Sequence, residues 1–128
     1  MSRLNQEESA HPIAETVALL RHVDQCLGAA MRCMAGPPRS SVDGSHLLGE
    51  LSLLEGQLHR HLAGAREAIS RCEQNERIVA ADWAKINGDR AREEYGRARD
   101  AIDDEAEQHR RNELDIQEKL SAIRTTMG

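Results

Sequence analysis

The chain has 128 residues, about the length of one domain, and 30% of them are charged. Trp83 and Tyr95 are its only aromatic residues, so the composition disfavours β-strands and favours long helices. A net charge of −5 argues against nucleic acid as a partner, because phosphate binding needs a basic face. The sequence also contains neither a signal peptide nor an apolar run near the roughly 20 residues that span a bilayer, so we expect a cytoplasmic protein.

The first predicted helix covers about residues 12–35. Residues 1–10 are polar and aperiodic and predict a flexible N-terminal tail, which leaves residues 11–128 as a single helical-bundle domain. Pro12 suits the first position of a helix, and Gly36 followed by two prolines ends it before a linker at residues 36–45. Two adjacent apolar rows make a face wide enough to contact two other helices.

Two longer helices follow, at about residues 46–87 and 89–126, with apolar residues spaced by threes and fours along both. Between them lie Asn87, Gly88 and Asp89. A glycine after a helix C-terminus and an aspartate at the next N-cap suit a tight hairpin turn over residues 87–89. The alternative is one continuous or hinged helix, in which Asn-Gly would cost roughly 1 kcal/mol or more.

A chain reversal at Gly88 keeps the two apolar rows in phase. It brings Leu58 opposite Leu120, Cys72 opposite Ala106, and Trp83 opposite Tyr95 as a packing pair at the tip. The predicted fold is therefore all-α: a long antiparallel helical hairpin with a shorter helix packed on it, as a coiled-coil-like three-helix bundle.

The shorter helix cannot cover the whole hairpin. At 1.5 Å per residue it spans about 36 Å, against roughly 55–60 Å for each arm. We therefore expect the apolar rows near the tip to stay partly open and to face a partner. The candidate partner-facing seam is formed by Val79, Ile86, Ala98 and Ile102.

The sequence lacks the usual signatures of an enzyme or a cofactor site. It has no glycine-rich phosphate loop, and its cysteines Cys26, Cys33 and Cys72 are interpreted as buried reduced thiols in apolar rows. Neither an enzyme, a cofactor nor a small-molecule substrate is expected.

One polar stripe on the third helix, Glu105, His109 and Glu113, has i, i+4 spacing and could bind a divalent ion with a partner helix. The favoured interpretation is a histidine in a packed seam beside solvated carboxylates. Metal binding by the bundle stays open as an alternative function.

Charges are unevenly distributed around the turn. Basic residues are frequent up to Arg99, and an acidic block begins at Asp100. Pairs at i, i+4 explain much of this pattern as a solvated face, although it could also set the register of a larger assembly. The pairs are Glu93–Arg97, Arg99–Asp103 and Glu107–Arg111.

A tryptophan beside a glycine-containing turn resembles the W-x-G helical hairpins that type VII secretion systems export. Here the glycine follows Trp83 only at Gly88, and Arg99 stands where the Y-x-x-x-[DE] export signal after Tyr95 has an acid. His109-Arg-Arg-Asn-Glu113 looks like a pattern on the second helix of such proteins. The resemblance implies an exported hairpin or a secretion chaperone that pairs with another helical protein.

Taken together, these features predict a non-catalytic interaction subunit, an adaptor or scaffold. Its partners would be other helical chains, in a homodimer or a hetero-oligomer that completes the open seams. The exported hairpin and the metal-binding bundle are the two alternatives.

Overall fold

The computed structural model describes the backbone of residues 2–35, 41–83, 85 and 88–127, and the side chains of residues 11–33, 46–83, 85 and 88–127. Within these ranges the chain forms three helices and no strands: α1 (Ser2–Ala35), α2 (Ser41–Trp83) and α3 (Asp89–Met127). All three pack on one another, α2 and α3 most extensively. This arrangement confirms the predicted all-α bundle of a helical hairpin and a further helix.

The first helix begins earlier than its sequence predicts. It starts at Ser2, so the backbone of residues 2–10 is helical where a tail was expected, and Pro12 lies inside the helix. Pro12 lacks the amide that would bond the carbonyl one turn earlier, and its ring crowds that carbonyl, but the Gln and Glu residues before it favour helix. The hydroxyl of Thr16 donates to the Pro12 carbonyl at 3.0 Å.

Two further boundaries differ from the expected ones. Helix α2 begins at Ser41, inside the predicted linker, and residues 36–40 lie outside the described part. It ends at Trp83, before the predicted end near residue 87. The amide of Lys85 donates to the Asp82 carbonyl at 3.0 Å, a bond of the kind that closes a last helical turn.

The reversal of the chain centres on Gly88. Its φ of +104° is a conformation that glycine adopts readily and other residues rarely adopt. Asp89 then opens α3, and the amide of Arg92 donates to the Gly88 carbonyl at 3.2 Å. Asn87, the first residue of the predicted turn, lies outside the described residues.

Helix α1 lies antiparallel to α2 and parallel to α3. The Thr16 hydroxyl lies 2.8 Å from His61 Nδ1, and His22 Nε2 lies 3.3 Å from Glu50 Oε1, so α1 and α2 run in opposite directions. On the α3 side, Lys119 pairs with Asp24, and this hydrogen bond raises the pKa of the Lys119 ammonium.

Burial divides the bundle into two regions. The three-helix base comprises residues 11–33, 46–72 and 106–127, and it contains every buried residue among the described side chains. Leu51, Leu58, Ile116, Ile123 and Val23 are its most completely buried large side chains. The stalk comprises residues 73–83 and 89–105, where α2 and α3 pair without a buried side chain.

Candidate functional site

The stalk presents apolar side chains that its own two helices leave open. Ile78 is 60% exposed and Trp83 is 42% exposed, although each belongs to a residue type that is usually buried. Between them, Val79 is half-buried. Exposed large apolar side chains on a narrow helical pair leave apolar surface that another protein could cover.

The predicted seam residues have mixed positions. Val79 and Ile102 are half-buried, and Ala98 is exposed. Ile86 lies outside the described residues. The predicted seam did not include Ile78, the most exposed large apolar residue of the stalk. The adjacent apolar pair Ile78-Val79 indicates such a residue in the sequence, because two neighbouring residues cannot both face one partner helix.

At the tip the structure brings Trp83 and Tyr95 together. Their ring centroids are 4.4 Å apart and the rings are inclined by 33°, at the short end of the separations seen for aromatic pairs. Tyr95 is half-buried by this contact, whereas Trp83 keeps much of its surface. The pair links α2 and α3 at the tip, and 42% of the Trp83 surface stays exposed.

Of the three ion pairs expected on α3 from the i, i+4 spacing, the structure forms one, between Arg111 and Glu107 at 3.4 Å. It adds an exposed pair between Arg90 and Glu94 at 3.9 Å. The remaining α3 charges of the stalk have no ion-pair partner among the described side chains: Asp89, Arg92, Glu93, Arg97, Arg99, Asp100, Asp103 and Asp104. Basic and acidic segments therefore follow one another along α3 largely unneutralised.

The predicted polar stripe on α3 does not converge on one point. Glu105 Oε1 lies 3.6 Å from the Nε2 of His109, which is only 4% exposed. Glu113 instead lies 3.6 Å from the guanidinium of Arg66 on α2. The three side chains thus serve two separate contacts.

A cavity of about 680 Å³ opens where the base meets the stalk. Pro12, His61, Cys72, Glu105 and His109 contribute to its lining. Burial raises the pKa of the Cys72 thiol to about 11, and the neighbouring Glu105 carboxylate adds to the increase. A thiol held protonated in this way is a poor nucleophile at neutral pH, which agrees with the interpretation of Cys72 as an apolar side chain.

The other cysteines differ from each other. Cys26 is buried, and burial and the Glu50 carboxylate raise the pKa of its thiol. Cys33 is exposed, so the expectation of a buried thiol was wrong at this position. Cys33 lies near the C-terminus of α1, three residues after the buried Ala30.

One cluster of metal-capable side chains was not predicted from the sequence. His22 Nε2 lies 3.3 Å from Glu50 Oε1 and 4.0 Å from Cys26 Sγ. Among the side chains described, these are the three metal-capable residues whose ligating atoms all lie within 4.8 Å of one another. The i, i+4 spacing of His22 and Cys26 was readable, but Glu50 joins them only through the register of α1 against α2.

Comparisons with known proteins supply no relative: no family model, no curated protein and no solved structure matches the chain. In the part of the chain that the structure describes, no helix combines the length and apolar character needed to cross a bilayer.

Proposed function

We propose that the protein is a non-catalytic interaction subunit whose stalk packs against the stalk of a second copy in an antiparallel dimer. The observation that supports this most is the absence of any buried residue among the described residues of the stalk. Helices depend mainly on tertiary packing for stability, and a two-helix pair provides little of it. Pairing two stalks would make a four-helix arrangement with an interior of its own.

The apolar residues at the stalk surface favour protein as the partner. Ile78 and Trp83 remain exposed while Val79 and Ile102 are half-buried, so the stalk has apolar surface available for helix packing. Tryptophan is among the residues that most often dominate the energy of an interface.

The order of charges along α3 favours an antiparallel second copy. The segment from Arg90 to Arg99 is basic overall, and the segment from Asp100 to Glu107 is acidic. Parallel stalks would place the acidic segments against each other. Antiparallel stalks related by a two-fold axis place each basic segment beside the acidic segment of the other copy, twice per dimer.

Sedimentation velocity across a concentration series around the micromolar range tests the proposal. We expect a reversible dimer for the unmodified chain and a monomer for Val79→Asp, because the substitution adds a charge to the apolar side of the stalk. The matched control is Leu53→Asp, which places the same charge on a 68%-exposed leucine of the base and should leave the dimer intact.

Charge reversal tests the orientation. Arg97→Glu with Arg99→Glu, and separately Asp103→Arg with Asp104→Arg, should each weaken the dimer, because each places like charges together. All four changes in one chain restore opposite charges across the antiparallel pair, and the dimer should return. High salt should weaken the unmodified dimer and have less effect on a dimer held by apolar contacts alone.

A chain that remains monomeric across the series, with a folded base, would overturn the proposed dimer. The remaining form of the interaction subunit would then be a heterodimer with a different helical protein, as in the exported-hairpin alternative. Dimers of the Val79→Asp variant as tight as those of the Leu53→Asp control would likewise remove the stalk from the interface.

A further inference from the structure

We propose that His22 and Cys26 of α1, together with Glu50 of α2, form a binding site for a borderline transition-metal ion of the Zn²⁺ class. The site lies in the three-helix base, away from the stalk, and does not rest on the proposed dimer. Three different ligand types meet there from two helices, with their ligating atoms all within 4.8 Å of one another.

The distances are close to those of a bound metal. Tetrahedral zinc with ordinary bond lengths separates a nitrogen and an oxygen ligand by about 3.4 Å, and a nitrogen and a sulfur ligand by about 3.6 Å. The corresponding separations are 3.3 Å between His22 Nε2 and Glu50 Oε1, and 4.0 Å between His22 Nε2 and Cys26 Sγ. The third pair, Cys26 Sγ and a Glu50 carboxylate oxygen, lies within 4.8 Å, against about 3.5 Å around tetrahedral zinc. Binding would therefore require at most roughly 1.3 Å of side-chain movement at this pair.

The helices are held at this spacing by packing next to the ligands. Val23 follows His22 and Leu51 follows Glu50, and both Val23 and Leu51 are completely buried in the core. Since these two side chains fix where α1 and α2 lie at this level, the ligands stand on rigid elements. Rigid support of this kind preorganises a metal site.

The donor set and its exposure select the kind of ion. Sulfur, imidazole nitrogen and carboxylate oxygen together suit Zn²⁺ and similar ions, whereas Mg²⁺ and Ca²⁺ prefer oxygen ligands alone. Cys26 is buried, but the His22 and Glu50 side chains are 50% and 36% exposed, so an ion can reach the cluster from solvent. Three protein ligands leave a fourth position for water.

Metal binding at this site is a ligand exchange that conserves charge and atoms. The hydrated ion gives up water molecules, the Cys26 thiol gives up its proton to solvent, and a metal–thiolate bond forms. Neutral imidazole and ionised carboxylate complete the set without redox change.

Titration with Co²⁺ tests the site on the full-length chain, first stripped with a chelator and kept reduced. We expect one equivalent to bind, with the near-ultraviolet absorption of a thiolate–cobalt bond and the visible bands of a four-coordinate ion. Zn²⁺ should displace the Co²⁺ and abolish both signals. The Val79→Asp chain should bind equally, which separates this site from the proposed dimer.

Substitutions at the exposed ligands keep the test independent of folding. His22→Gln and Glu50→Gln lie at the surface and should each weaken binding by more than about 100-fold, beyond the cost of losing a supporting group around a metal. Cys26→Ser should also remove the thiolate absorption. Two controls should bind like the unmodified chain: Cys33→Ser, which removes an exposed thiol of α1, and His11→Gln, which breaks an exposed His–Glu pair at 3.2 Å.

Absence of thiolate–cobalt absorption at saturating Co²⁺ would overturn the proposal and identify the His22–Glu50 contact as an ordinary hydrogen bond. Binding that survives His22→Gln and Glu50→Gln, or that is lost with Cys33→Ser, would place the ion elsewhere and overturn it equally.

Discussion

The base and the stalk are built from the same two helices, yet only the base has an interior. Apolar spacing continues along α2 beyond Cys72 and along α3 before Ala106, but burial ends at those two residues. Among the described side chains, those of α1 lie only in the base, whose core all three helices build. Periodicity therefore indicates that a helix has a face to bury, and the neighbours of that face decide whether it is buried.

Truncating an apolar residue should separate the two regions most clearly. Leu58→Ala removes a completely buried side chain of the base and should lower the free energy of unfolding by about 2–5 kcal/mol. Val79→Ala removes a half-buried side chain of the stalk and should cost under about 1 kcal/mol in the monomer. Urea unfolding of both variants at high dilution checks the contrast; equal costs would mean that the stalk has a core of its own.

Alkaline pH should reveal the burial of Cys72 at the boundary between the two regions. Its pKa is about 11 in the folded chain against 9.0 for an ordinary thiol, so the unfolded state loses its proton first as pH rises. The stabilisation that the protonated Cys72 thiol contributes is fully present below pH 9. It decreases as pH rises above 9, and the free energy of unfolding is lower by about 2 kcal/mol at pH 11.

Comparison with Cys72→Ala isolates this effect, because all other groups titrate in both chains. The unmodified chain should lose stability between pH 9 and pH 11 more steeply than the variant. Parallel pH profiles would show that the Cys72 thiol is no less acidic in the folded chain than in the unfolded one, which would contradict the raised pKa.

Two glycines offer a matched test of the hairpin turn against the base. Gly88→Ala should destabilise the fold by about 1 kcal/mol, because a φ of +104° strains any residue with a Cβ. Gly64→Ala lies within α2 with open space around the added Cβ and should stabilise by up to about 1 kcal/mol. Thermal unfolding that moves the same way in both variants would contradict the positive φ at Gly88.

An effect of similar size is expected at Asn112, a polar residue inside the base. Its side chain is buried, and its Nδ2 has no hydrogen-bond partner among the described residues. Asn112→Leu should raise the free energy of unfolding by roughly 1 kcal/mol, because it removes an unpaired polar group from the core. Chemical denaturation measures the change, and a loss of stability would indicate a polar contact that the Asn112 amide makes in solution.

The helix count, the reversal at Gly88 and the Trp83–Tyr95 contact all follow from local patterns, namely apolar spacing and turn chemistry. The N-terminal boundary did not follow, because Pro12 suits the first turn of a helix and is tolerated inside one only at a cost. Helix propensity before Pro12 was too weak a signal to predict the start at Ser2.

Contacts between helices were the part that the sequence could not supply. The apolar spacing of α1 does not fix its register on α2, so the contact of Glu50 with His22 and Cys26 could not be predicted from the sequence. The same limitation explains Glu113, which pairs with Arg66 on another helix rather than with His109 on its own. Spacing within a helix shows which residues share a face, and packing decides which of them meet.

Hydrogen exchange of residues 73–83 and 89–105, measured at high and at low protein concentration, tests most directly whether the stalk is completed by a second copy. We expect slow exchange in both segments at high concentration and fast exchange after dilution, while the base stays protected at both concentrations. Stalk exchange that is the same at the two concentrations, whether fast or slow, would contradict the proposed dimer.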